Sequence, residues 1–317
     1  MRAAKKGFPL YASRRSSRSS ACTLLAALWV AAPSGAQGPA ALRIGLVTRG
    51  DASASAASIE RGVRLGAVEA QQTAKLFGGN VLLFEEPAVG AAEGAAQKLL
   101  SERKVAVLIG SRAEDADALS RFAESHRVIF MNVASRAASL RVSCRRYTFH
   151  IEASTSAYAT AARELIGSAA RSAPVLWADV LEKYGASQIN DRYRTRYHLP
   201  MDPGAWAGWF AVKAASETAL RTRGPRADAM LAYLESPSTS FDGHKGWPLS
   251  FRPSDHQLRQ PLYMVAPPAT VGAQASRVRE IPELRMLAAS GSGANSASKL
   301  LDALIPDSGS CAWSTRK

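Results

Sequence analysis

Four short apolar runs, LRIGLV (42–47), VLLF (81–84), VAVLI (105–109) and VIFM (128–131), recur at regular intervals and constrain this chain most. Each is four to six residues long, rich in β-branched side chains and lacking a polar alternation, which is the pattern of a strand buried on both faces. Helical spacing fills the gaps. Ile59, Val63, Ala67 and Ala70 fall on one face of the first intervening segment. Ala92, Ala95, Ala96 and Leu99 do so in the second, AAEGAAQKLLSER (91–103), and a third helix runs from about Glu114 to Ser125. Strand and helix alternating in this way predict an α/β fold, a parallel sheet flanked by helices.

Such a sheet binds ligands beyond the carboxyl ends of its strands, where the strand order reverses. The loops at those ends are TRGDASAS (48–55), EEPAVG (85–90), GSRAED (110–115) and NVASRAAS (132–139). The last two set serine and arginine beside a strand end, with helix N-terminal amides nearby to receive an anion. Ser111, Arg112, Asn132, Ser135 and Arg136 are therefore the candidate ligand-binding residues. Each of these residue types also caps helices and builds turns, so any one of them alone has a purely structural explanation.

The N-terminus points to export. Residues 1–20 carry six basic residues and no acidic one, ACTLLAALWVAA (21–32) is uncharged and apolar, and Ser34-Gly35-Ala36 is small throughout. This is the order of a secretory leader cut after Ala36, and twelve apolar residues are too few for a bilayer, which needs about 20. Removing the leader lowers the net charge from +14 to +8 and leaves 281 residues. The remaining arginines are scattered among carboxylates, so the charge reads as a solvated surface with no nucleic-acid partner. An oxidising compartment could join Cys144 to Cys311, but Cys311 lies beyond AASGSGANSAS (288–298), a low-complexity stretch that counts against the pair.

Chemistry finds little footing. Neither nucleotide-binding glycine signature occurs, and the histidines at 126, 150, 198, 244 and 256 have no metal-ligand spacing. No nucleophile is spaced to work with His150 or His244. No metal, cofactor or catalytic residue is implied. The helix PGAWAGWFAVKAASETALR (203–221) carries Trp206 and Phe210 at helical spacing, a packing face rather than an aromatic ligand box.

The first-half segments RIGLV, GVRLGAVEA, FGGNVLLFEE, KVAVLIGS and VIFMNVAS…LRVSCRRYTFHIEAS resemble the first lobe of type I periplasmic binding proteins of the branched-chain amino-acid group. The later YGASQINDRYRTRYHLPMDPGAWAGWFAVKAASETALRTR and FDGHKGWPLSFRPSDHQLRQPLYMVAPP are similar to the ABC-transporter substrate-binding proteins associated with PQQ-dependent alcohol dehydrogenase systems. The resemblance covers roughly 42–287, with a gap. It implies a non-catalytic periplasmic protein that captures a small-molecule ligand, an organic acid, amino acid or alcohol-derived metabolite, for an ABC transporter permease. It also makes 241–265 a strand–turn–strand element, with His244 and His256 near the ends of a solvated hairpin.

The family pattern is shortened here. SAYATAARELIGSAARSA (156–173) runs almost directly into PVLWADV, and at about 30 residues per βαβ unit roughly 70 residues of a second lobe are missing. The expected organisation is a leader (1–36), a first α/β lobe (37–155), a crossing helix with a reduced, mostly helical second lobe and hairpin (156–287), and a low-complexity tail (288–317) holding a short helix at KLLDALI.

Overall fold

The computed structural model describes residues 41–49, 53–164, 173–266, 277–282, 294–305 and 311; the leader expected at 1–36 lies outside them. β1 (Leu42–Thr48), β2 (Val81–Pro87), β3 (Val107–Gly110), β4 (Ile129–Asn132) and β5 (Thr148–His150) form one sheet in the order β2-β1-β3-β4-β5. Every pairing is parallel. The sheet is the one the apolar runs predict, with β5 added. That strand is three residues long and includes Thr148 and His150, so it carries no apolar run.

Helices α1 (Ala54–Leu76), α2 (Ala92–Arg103) and α3 (Ala116–His126) are the crossovers. Ser53 caps α1, its hydroxyl accepting from the Ala56 amide at 3.3 Å. A short α4 (Ala138–Val142) follows β4, and α5 (Thr155–Glu164) follows β5.

The chain then returns to the same sheet. α6 (Ala186–Tyr197) and α7 (Pro203–Arg221) pack against α1, and α7 also reaches β1 and β3. Asp202 caps α7 through the Ala205 amide at 2.9 Å, with Pro203 in the first turn. The contact between α1 and α7 is backbone to backbone. A Cβ added at Gly62 would lie 1.9 Å from the Ala205 carbonyl oxygen, and one at Gly208 would lie 2.4 Å from that of Ile59. Trp206, Trp209 and Phe210 are buried, with Trp206 stacked between Trp177 (5.8 Å) and Phe210 (5.0 Å). The tryptophans are packing residues, as their spacing predicts.

Residues on both sides of position 155 share one hydrophobic core, because α7 buries a broad apolar face against α1 and the sheet while its Lys213–Glu217 pair stays partly exposed. α8 (Ala227–Glu235) leads into β6 (Phe241–Asp242), β7 (Pro248–Phe251) and β8 (Leu258–Arg259), a small antiparallel sheet. The hairpin also differs from expectation. The strand returning to β7 is β8, whereas β9 (Leu262–Ala266) pairs with β10 (Arg277–Ile281). His256 is fully buried rather than solvated. It stacks on Phe149 at 4.2 Å, and its Nδ1 lies 3.1 Å from the Thr148 carbonyl oxygen. Val175 forms an isolated antiparallel bridge with Tyr263.

The tail is docked. In α9 (Ala294–Ala303), which extends the KLLDALI helix into the low-complexity stretch, Leu301 is buried, as are Leu304 and Ile305 beyond it. Arg259 holds Asp302 (2.7 Å), and Arg252 donates to the Ile305 carbonyl (2.9 Å). These contacts bring Cys311 back to Cys144, and the two are disulfide-bonded with Cα atoms 5.3 Å apart. Low complexity therefore did not keep the cysteines apart, because a short apolar helix anchors the segment between them. Among the described residues no helix is long and apolar enough to cross a membrane.

Candidate functional site

The order β2-β1-β3-β4-β5 reverses between β1 and β3, so the switch-point crevice lies between the loops that follow those strands. Arg49 leaves β1 and Asp115 precedes α3. They meet there in a two-point ion pair, Nε to Oδ2 at 3.0 Å and Nη2 to Oδ1 at 2.6 Å. Beside them is Ser111, whose backbone amide bonds to the Val47 carbonyl at 3.2 Å. Its side chain is 2% exposed, and among the described residues its hydroxyl has no hydrogen-bond partner. Arg112 is ion-paired with Glu114. A backbone hydrogen bond at Glu114 and the Arg112 guanidinium hold the Glu114 carboxyl below the usual range.

The loop after β4 is built differently. Asn132 accepts from the Ser135 amide through Oδ1 (2.9 Å) and donates to the Ser135 carbonyl through Nδ2 (2.8 Å). The Ser135 hydroxyl accepts from the Ala137 amide at 3.4 Å. Both side chains are buried and committed to shaping the turn, the structural explanation open to them from sequence.

Arg136 is placed otherwise, about half exposed, with its guanidinium 4.1 Å over the Tyr158 ring and Nε 3.2 Å from Glu152. Glu152 is buried at the end of β5 and also accepts from the Tyr158 hydroxyl at 2.6 Å. Burial raises the pKa of Glu152, against the pull of Arg136 and that hydrogen bond.

Arg141 is the residue that sequence reasoning missed most completely. It is buried, and it donates to the carbonyls of Ser135 (2.9 Å), Ala137 (2.9 Å) and Glu152 (2.6 Å) and to the Gln257 side chain (3.0 Å). Burial lowers its pKa to about 10. One guanidinium thus fixes the β4 and β5 loops against the late chain.

The five candidates therefore fall into two neighbouring groups on the carboxyl edge of the sheet. Ser111 and Arg112 sit at the switch point with Arg49 and Asp115. Asn132, Ser135 and Arg136 sit on the β4 loop with Glu152 and Tyr158. The arrangement offers guanidinium and carboxylate groups in pairs and a buried hydroxyl, which suits reversible recognition of a small polar solute. Among the described residues no group of histidine, cysteine and carboxylate side chains could hold a metal ion.

Comparison of the whole chain with solved structures decides the architecture. An ABC transporter substrate-binding protein from Sphaerobacter thermophilus superposes with a TM-score of 0.62 at 12% identity, covering 77% of this chain and 98% of that one. The fold is that of the type I periplasmic binding proteins. A branched-chain amino acid ABC transporter periplasmic ligand-binding protein from Burkholderia xenovorans gives a TM-score of 0.63 at 9% identity (75% and 94% covered). A solute-binding protein from Rhodopseudomonas palustris, in complex with 3,4-dihydroxybenzoic acid, gives 0.58 at 10% identity (75% and 95%). No protein-family model and no curated protein sequence matches the chain.

Proposed function

We propose that this chain is a non-catalytic, extracytoplasmic solute-binding protein that captures a small organic acid or amino acid for an ABC permease. The observation that carries the reading is the buried Ser111 hydroxyl at the switch point, which has no partner among the described residues. Leaving such a group unsatisfied costs about 1–3 kcal/mol, a penalty that a ligand oxygen or nitrogen would remove. Arg112 and Arg136 offer cationic ends to a carboxylate. Asp115 and Glu152, on the same edge, offer counter-charges to an amino group. Solved proteins of this fold hold isoleucine, 3,4-dihydroxybenzoic acid and benzoate, which makes amino acids and aromatic acids the first solutes to try. The association with PQQ-dependent alcohol oxidation rests on the sequence resemblance and adds alcohol-oxidation products to the set.

The test is a thermal-shift screen against amino acids, short organic acids and alcohol-oxidation products. A ligand at 100 times its Kd stabilises the fold by about 2.7 kcal/mol, a visible shift for a chain of this size. A hit weakened by Ser111→Ala and by Arg112→Ala supports capture at the switch point. A hit indifferent to both overturns it.

A second reading, a periplasmic sensor or partner protein built on the same lobe, is favoured by one observation. Among the described residues there is one parallel sheet and no second one to form an opposing wall. A one-walled cleft covers less of a small ligand. Cooperative melting without any hit would select this reading.

A further inference from the structure

A cavity of about 310 Å³ lies away from the switch point, between the 180–186 segment, the turn bearing His244 and Lys245, and the β9–β10 ribbon. Three observations mark it as more than a gap between elements. Tyr263 lines it and is 3% exposed, yet among the described residues its hydroxyl makes no hydrogen bond. Glu280, its cross-strand partner, is half-buried; the Trp247 indole donates to its carboxylate, and among the described residues no ion pair reaches it. Tyr184 also lines it, half-exposed and held at φ 58°, a left-handed conformation uncommon for a non-glycine residue.

Lys245 does not neutralise Glu280 by contact. Its three protons are taken by the Leu176 carbonyl (2.7 Å), the Gln260 side chain (2.8 Å) and the Pro261 carbonyl (3.3 Å), and its Nζ sits 3.8 Å over the Trp206 ring. The cavity therefore presents a carboxylate that no cation contacts among the described residues, the Tyr263 hydroxyl, two tyrosine rings and an apolar wall of Val180, Leu181 and Val278. Partly desolvated carboxylates gain most from a cation that also donates hydrogen bonds, and π-faces add to the attraction.

We propose that this cavity binds a small organic amine, its ammonium between Glu280 and the Tyr263 hydroxyl and its apolar body under Tyr184. The site is independent of the solute reading above. Burial raises the Glu280 pKa to about 7, against the Trp247 hydrogen bond and the charges of Lys245 and Lys183. Glu182, His244 and the two tyrosines are the other titratable groups lining the cavity. A bound ammonium favours the carboxylate, so binding releases a proton from the fraction of Glu280 that carries one.

Isothermal titration calorimetry with benzylamine at pH 6.5, in two buffers of different ionisation enthalpy, tests this. Benzyl alcohol and benzoate serve as neutral and anionic controls. The expected result is saturable one-site binding of benzylamine with net proton release, weakened at least 10-fold by Glu280→Gln and several-fold by Tyr263→Phe, and unchanged by Ser111→Ala. Each variant is checked for a wild-type melting profile. Silence with benzylamine overturns the proposal, as does preferential binding of benzoate or equal binding by a folded Glu280→Gln protein. A loss on Ser111→Ala would place the amine at the switch point instead and equally overturn it.

Discussion

Arg49 and Asp115, 66 residues apart, close a two-point ion pair across the place where the sheet reverses its strand order. The Asp115 side chain is nearly buried and that of Arg49 is about a quarter exposed. Truncating one partner strands the other in a partly desolvated crevice, which costs more than the pair contributes net. Arg49→Ala is expected to destabilise the fold by about 1–3 kcal/mol. A double-mutant cycle with Asp115→Ala should return a coupling of about 0.5–3 kcal/mol. Additive losses in denaturant melts would refute the coupling.

Gly62 and Gly94 make a matched comparison on two helices. At Gly62 a methyl group collides with the Ala205 backbone, whereas at Gly94 nothing lies within 4 Å among the described residues. Gly62→Ala should force α1 and α7 apart and cost about 3 kcal/mol or more, beyond the usual range for overpacking. Gly94→Ala should stabilise by about 0.5–1 kcal/mol through helix propensity. Thermal melts of the two variants, run side by side, check both signs.

Glu235 gives the fold an acid-sensitive joint. Burial alone would raise its pKa; the paired hydrogen bonds from Arg146, both 2.8 Å, and the proximity of His256 outweigh burial and hold it at about 2. A depressed folded-state value means the unfolded chain binds its proton first as the pH falls. The stabilisation is therefore complete above about pH 4.5 and is lost as the pH falls towards 2. Glu235→Gln should be less stable than wild type at pH 6, and the gap should narrow by pH 2.5. A gap independent of pH in chemical denaturation would count against the assignment.

Replacing Cys144 and Cys311 by serine should cost roughly 2–5 kcal/mol, because the bond closes a long loop. The sequence separation is 167 residues. Proteolysis should then cut first within the tail, since α9 would rely on its packing and the Arg259–Asp302 and Arg252–Ile305 contacts alone. Limited digestion with and without reductant, followed by mass spectrometry, reads this directly.

The sheet was legible because strands buried on both faces must be apolar throughout, and 42–47, 81–84, 105–109 and 128–131 advertise that need. β5 was not, since its three residues include a threonine bonded to Ser120 and a histidine facing Asn132. The loops carrying the candidate residues could be named from strand ends alone. What each residue does there could not, because Ser111 has no hydrogen-bond partner among the described residues and Asn132 is consumed by its own turn for reasons of local geometry. Pairs such as Arg49 with Asp115, or Arg141 with the Glu152 carbonyl, leave no periodic trace, since folding alone brings them together.

The covalent link from Cys144 to Cys311 also sets a clock. Cys144 lies just beyond α4 and the loop held by Arg141, yet its partner is delivered only after every residue between them has been made and moved. A chain made from its N-terminus can assemble its parallel sheet early, but the clasp on this edge waits for Cys311. Until then the β4 loop is held by non-covalent contacts, and a rival thiol has its opportunity.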